Sequence, residues 1–190
     1  AHFVVGLAVP TEVRLYRVDG TRVHAFKGHK YEVNAVAVTP DGQHIISGSM
    51  DKTVKVWSVA TKSLVSTCVG HTEPVAAVAV MPDGQRILSG GHTLSVWLLD
   101  STHQNTFQLH TSFVDALVAL PDNQHALSGS RDKTVKLVNV NDGVVLRTFR
   151  QRGLVRSLAL LPDGLRFVSG SHDQSHLYIE QHGLAPVATA

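Results

Sequence analysis

A four-residue turn returns along this chain at a nearly constant step, and that recurrence limits the possible folds more than any other feature. "PDGQ", "PDGQ", "PDNQ" and "PDGL" begin at Pro40, Pro82, Pro121 and Pro162, steps of 42, 39 and 41 residues. Proline presets its own φ and Gly or Asn accepts a positive φ, so each copy reverses the chain tightly between two strands. Before each turn stands "VNAVAV", "VAAVAV", "VDALVAL" or "VRSLAL". These runs are almost continuously apolar and rich in Ala, which predicts strands covered on both faces where several sheets converge. After each turn, "HIISGS", "RILSGG", "HALSGS" and "RFVSGS" read as second strands, and "TVKVWSV", "LSVWLL", "TVKLVNV" and "HLYIE" as third strands. "SLVSTCV", "NTFQL", "VVLRTF" and "LAPVAT" supply weaker fourth strands. No segment of ten or more residues keeps a 3.6-residue period, so helix should be nearly absent.

Four short strands in about forty residues, repeated, predict an all-β protein: a β-propeller of four-stranded antiparallel blades. The expected blades are a partial first one at 1–27, then 28–69, 70–109, 110–150 and 151–190. That makes about five, in an open arc or partial ring. "AHFVVGLAVPTEVRLYRVDGTRVHAFKGH" aligns with second, third and fourth strands, with Gly6 matching Gly48, Tyr16 near the position of Trp57, and no innermost strand. Uncovered blade faces would promote association. The chain is therefore expected either to be a piece of a longer propeller, which a start inside a blade favours, or to self-associate.

A polar phrase rides on the same period. "HIISGSMDKTVKVW" at 44–57 returns as "RILSGGHTLSVW" from 86, "HALSGSRDKTVKLV" from 125 and "RFVSGSHDQSHLYI" from 166, with Gly-His at 28–29 and 70–71. His29, Ser47 and Asp51 invite the alternative of a hydrolase or an enzyme accessory domain, but a catalytic triad needs a cleft and an oxyanion donor and has no use for several copies. On these motifs, which cover almost the whole chain, the sequence resembles the WD-repeat β-propeller family. The resemblance implies a hydrogen-bonded tetrad in each blade that fastens strands, turn and loop together, and His29, Ser47, Asp51 and Trp57 supply all four members. The next repeat keeps His71, Ser89 and Trp97 without the aspartate, because its turn is two residues shorter. The following one has His110, Ser128 and Asp132 with Val138 in the Trp position. The last has Ser169 and Asp173, with Gln151 and Ile179 replacing His and Trp.

The resemblance also implies a rigid, non-catalytic platform that holds a protein or peptide on its loop-bearing top face. The implied contact positions are three and five residues after each His and one before each turn Asp. Here they are Glu32, Asn34 and Met50; Pro74 and Ala76; Phe113, Asp115 and Arg131; Leu154, Arg156 and His172. Aromatic, Met and Arg side chains together suit a protein contact.

Composition closes off other classes. Seventeen Lys and Arg against fifteen Asp and Glu give a charge of +2, too balanced to mark a nucleic-acid binder. The alternative lies in Arg147, Arg150, Arg152 and Arg156, a basic corner without interleaved aromatics. His172, Asp173 and His176 offer metal no complete ligand set, and no phosphate loop, His-Glu-x-x-His or Cys-x-x-Cys invites a cofactor. The lone Cys68, the absence of a long apolar run and the absence of a secretion signal predict a cytoplasmic or otherwise intracellular protein with no membrane span.

Overall fold

The computed structural model describes residues 2–7, 11–173 and 176–183, which form eighteen strands; among the described residues there is no helix, and so none long and apolar enough to cross a membrane. The strands fall into five antiparallel sheets in chain order. The first is β1 (His2–Gly6), β2 (Glu12–Arg17) and β3 (Arg22–Lys27). The second is β4 (Val33–Val38), β5 (His44–Ser49), β6 (Thr53–Ser58) and β7 (Ser63–Val69). The third is β8 (Ala77–Val80), β9 (Arg86–Gly90), β10 (Leu94–Leu98) and β11 (His103–Phe107). The fourth is β12 (Val114–Ala119), β13 (His125–Ser130), β14 (Thr134–Asn139) and β15 (Val145–Arg150), and the fifth is β16 (Leu154–Leu160), β17 (Arg166–Asp173) and β18 (His176–Gly183). Neighbouring blades meet through β1 and β4, β4 and β8, β8 and β12, and β12 and β16, which makes an open arc of a propeller.

Local chemistry dictates the reversals. Asp41, Asp83, Asp122 and Asp163 each accept the backbone N–H two residues on through Oδ1, at 2.8–2.9 Å. Gly42, Gly84, Asn123 and Gly164 then take φ values of 71°, 70°, 59° and 67°, the left-handed region that these residues tolerate. Asn123 does more than turn. Its side chain joins Asp83 of the preceding blade at 2.9 Å, locking two turns together.

Every apolar cluster straddles a blade boundary. Val13, Leu15 and Phe26 of the first sheet pack with Val33, Ile45 and Trp57 of the second. Ile46, Val54, Val56 and Cys68 pack with Val75, Val78, Ile87 and Trp97 of the third. The same arrangement joins the third sheet to the fourth and the fourth to the fifth. Stability therefore resides largely in nearest-neighbour interfaces. Within it Cys68 acts as a small hydrophobe, since burial pushes its thiol up to about 12.

The deepest strands are the second ones, not the inner ones. Ile45, Ile46, Ile87, Leu88, Ala126 and Leu127 are fully buried, whereas inner-strand Val38 is 43% exposed. The sequence predicts inner strands covered on both faces; in an open arc the concave side lacks that cover.

One glycine per blade sets the spacing between blades. A Cβ at Gly6, Gly48, Gly90 or Gly129 would stand 2.7, 2.5, 2.9 or 2.6 Å from Cγ1 of Val33, Val75, Val114 or Val155, the valine that opens the next blade. Only a side chain without Cβ admits that approach. Gly48→Ala is expected to cost about 1–3 kcal/mol through overpacking, read as a lower urea midpoint at unchanged slope. A variant as stable as wild type would show that the interface can spread without cost.

In the first sheet Gly6 pairs with Val13 and Phe3 with Tyr16, as Gly48 pairs with Val54 and Ile45 with Trp57. Tyr16 thus occupies the register position of Trp57. The fifth sheet departs from the sequence-based assignment. There Gly170 pairs with Ile179 and Phe167 with His182, so His182 stands at the Trp register position and Ile179 does not. Asp173 pairs with His176 inside the ladder instead of sitting in a turn. The cause is visible in the sequence: the Asp-Lys-Thr of the second and fourth blades is Asp-Gln-Ser here, and Gln151 replaces the histidine that would anchor the turn. The expected strand "LAPVAT" lies outside the described residues.

Candidate functional site

Two polar constellations recur or converge in the structure, one inside the blades and one on the face where the Asp-Lys-Thr turns emerge. The internal one is fullest in the second blade. His29 lies just ahead of β4, Ser47 on β5, Asp51 in the following turn and Trp57 on β6. Trp57 donates its indole N–H to Ser47 Oγ at 2.8 Å, and Ser47 Oγ is 2.8 Å from His29 Nε2. His29 Nδ1 is 2.8 Å from Asp51 Oδ2. Indole can only donate and carboxylate can only accept, which fixes the direction of every proton. Trp57 gives to Ser47, Ser47 gives its O–H to His29 Nε2, and His29 gives Nδ1–H to Asp51.

That chain requires a neutral imidazole, and the electrostatics agree. Burial pushes the His29 pKa down, and Asp51 restores only part of the loss. Burial alone would raise the Asp51 carboxyl, but hydrogen bonds from Thr53, the Lys30 backbone and His29 outweigh it and hold the group below the usual range. Thr53 is a fifth member. Its N–H and O–H both reach Asp51 Oδ1, at 3.0 and 2.5 Å. The repeated Asp-Lys-Thr carried the signal for this residue, which a four-residue tetrad leaves out.

The fourth blade repeats the arrangement. His110 lies 2.8 Å from both Asp132 and Ser128, and Thr134 again donates to Asp132. Val138 fills the Trp position and supplies no donor. In the third blade His71 Nε2 is 2.7 Å from Ser89 Oγ, which accepts Trp97 Nε1–H at 2.8 Å. Without an aspartate to offset burial, the His71 pKa falls to about 4. In the fifth blade Ser169 Oγ donates to Gln151 Oε1 at 3.4 Å, with Gln151 standing where the other blades have histidine.

The His29, Ser47 and Asp51 linkage has the connectivity of a hydrolase triad but not its access. Ser47 is fully buried and Trp57 already donates to its oxygen, so no electrophile can approach Oγ.

The second constellation is a depression of about 480 Å³ lined by Asn34, Met50, Pro74, Ala76, Phe113, Asp115, Arg131 and Arg156. These come from four successive blades. Glu32 is exposed and Leu154 half-buried, and neither lines it; the His172 side chain lies outside the described residues. Asp115 organises the floor. It accepts from Arg131 Nε at 2.8 and 3.1 Å and from Arg156 Nη1 at 2.7 Å, and its side chain is only 8% exposed. The Arg131 guanidinium also lies 5.0 Å from the Phe113 ring centre, and His92 meets the same ring edge-on at 4.8 Å. Asn34 donates to the Val75 carbonyl at 2.9 Å, tying the second blade to the third.

The basic corner expected from the sequence does not gather. Arg147 and Arg150 of β15 pair with Leu137 and Thr134 of β14, an odd separation that turns them to opposite faces, while Arg156 joins Asp115 in the depression. Among the described residues no group of three or more His, Cys, Asp or Glu side chains could hold a metal ion.

Comparison with known proteins follows the same period. The WD40 family profile (WD domain, G-beta repeat) matches residues 20–58, 62–98, 101–139 and 143–175. Each full match runs from the outer strand of one blade across the inner three strands of the next, so the sequence repeat is out of phase with the blade by one strand. A 42-residue stretch is 48% identical to the ribosome biogenesis protein BOP1 homolog of Drosophila grimshawi and 45% identical to that of Drosophila melanogaster. The stretch is 22% of this chain and 5% of each relative, so the chain spans only a small part of those proteins. With four profile matches covering most of the chain, two of them on the blades that carry the full Ser, His and Asp linkage, the chain belongs to the WD40 (WD domain, G-beta repeat) family.

Proposed function

We propose that the chain is a non-catalytic scaffold that docks a protein partner over the depression between its second and fifth blades. The observation that supports this most is convergence. Asn34, Met50, Phe113, Asp115, Arg131 and Arg156 are far apart in sequence yet line one recess, and they include the Met, aromatic and Arg types enriched at protein interfaces. The loops bearing them are already held by Asp51, Asp132 and Asp115, so little conformational freedom is lost on docking. The serines of the tetrads serve as fasteners rather than nucleophiles, because they are buried and the Ser47 oxygen already accepts the Trp57 N–H. The BOP1 relatives, named as ribosome biogenesis proteins, support an intracellular setting within a larger assembly.

A photo-crosslinking residue at position 50, where Met50 is 43% exposed, tests the reading against one at position 165, where Leu165 is 50% exposed beside a turn at the other end of the strands. Discrete protein adducts are expected from position 50 and are expected to disappear when Phe113→Ala is added. Equal labelling from both positions, or adducts indifferent to Phe113→Ala, would remove the depression from the function.

A further inference from the structure

The depression carries a more specific chemistry than apolar shape. Asp115 is a buried carboxylate with two guanidinium groups on it, which leaves one positive charge uncompensated. Both arginines are held without being used up. Arg131 contacts Asp115 through Nε and Arg156 through Nη1, so both Nη groups of Arg131, and Nε and Nη2 of Arg156, make no hydrogen bond to another described residue. Their side chains are 40% and 49% exposed. Arg131 is further held against Phe113. A guanidinium pinned on one side presents its remaining donors in a fixed fork, the geometry that takes an oxyanion bidentately.

Around this fork stand Met50, Pro74 and Ala76, which offer apolar cover beside the charge. We infer that the recess selects an acidic peptide segment of the partner, with an Asp or Glu side chain on Arg131 and Arg156 and an apolar side chain next to it against Met50 and Pro74. This rests on the docking reading above and narrows it. Charge balance favours a carboxylate: one negative charge matches the single uncompensated positive one, whereas a phosphate dianion would bring a surplus charge to within reach of Asp115. An RNA strand is disfavoured for a related reason. Successive phosphates need a run of cations and bases need open ring faces, but the recess has two guanidiniums and its one aromatic ring is taken by Arg131 and His92.

Selection of random nine-residue peptides displayed on phage, against the whole chain, tests the inference. Enrichment of Asp or Glu adjacent to Leu, Met, Ile or Phe is expected. A selected peptide should lose at least tenfold in affinity for Arg156→Gln and for Arg131→Gln, and its Glu→Gln counterpart should bind wild type and both variants equally weakly. Both arginines are well exposed, and thermal unfolding of the variants checks that they remain folded. Peptides that compete at the depression without acidic preference would overturn the acidic specificity and leave the docking reading standing. Peptides that bind elsewhere, or no enrichment at all, would overturn both. Preferential binding of a ten-nucleotide single-stranded uridine oligonucleotide, lost in the same variants, would replace the peptide by nucleic acid.

Discussion

Trp57→Ala is expected to destabilise the protein by about 3–5 kcal/mol, a large fraction of a typical domain's stability, with the loss concentrated in the first two blades. Trp57 is 2% exposed and is the largest member of the cluster joining the first sheet to the second, where Phe26 lies 5.6 Å away and Val13, Leu15, Val33 and Ile45 complete the packing. Truncation opens a cavity at the interface that holds these blades together. It also removes the indole donor from Ser47. Trp57→Phe separates the two effects, because it keeps much of the ring and loses the N–H; a cost of about 1–2 kcal/mol is expected from the unmade hydrogen bond in a buried site. Because the clusters couple only adjacent sheets, hydrogen exchange should rise in β1 to β7 while β12 to β15 keep their protection. Uniform loss of protection would show that the arc unfolds as one unit and that its interfaces are more strongly coupled than nearest-neighbour packing allows.

The features legible in the sequence are those fixed by short-range chemistry. Pro-Asp-Gly sets its own turn through the Asp carboxylate and a left-handed glycine, so the period and strand order follow from it. The linkage among His29, Ser47, Asp51 and Trp57 was legible through the resemblance to the WD-repeat family, and the same spacing recurs with His110, Ser128 and Asp132. Properties set by neighbours were not legible. The exposure of Val38 depends on what covers the concave side, which no pattern within β4 encodes. The pairing of Phe167 with His182 belongs to a ladder that runs on to Asp173 and His176; the change from Asp-Lys-Thr to Asp-Gln-Ser marks where the repeat departs, but no local pattern sets the register that results. Asp115 and Arg156 lie 41 residues apart and meet at 2.7 Å; each stands five residues after its blade's His or Gln, so the repeat places them side by side while the ion pair itself emerges only from the fold.

Mild acid is expected to weaken the fold, with the third blade contributing most. A histidine whose native pKa lies below its unfolded value binds more protons when unfolded, so stability falls as pH drops between the two values and is unaffected above the higher one. For His71 that window runs from the ordinary 6.5 to about 4, and burial sets it, with His103 adding a like charge. His29 and His110 shift in the same direction because burial outweighs Asp51 and Asp132, so they add to the loss on the acid side of 6.5. The two aspartates act later: they are held below 3.8, and their contribution goes only as pH falls past that value. His71 is partly solvated, so its share between pH 7 and pH 4 is on the order of 2 kcal/mol. His71→Gln keeps a group able to bond Ser89 and removes the titration. Urea unfolding at pH 7 and at pH 4.5 should therefore show a smaller acid loss in the variant than in wild type. Parallel losses would mean that general charge repulsion among the protein's twelve histidines, not the neutral imidazole locked under Trp97, drives the acid sensitivity.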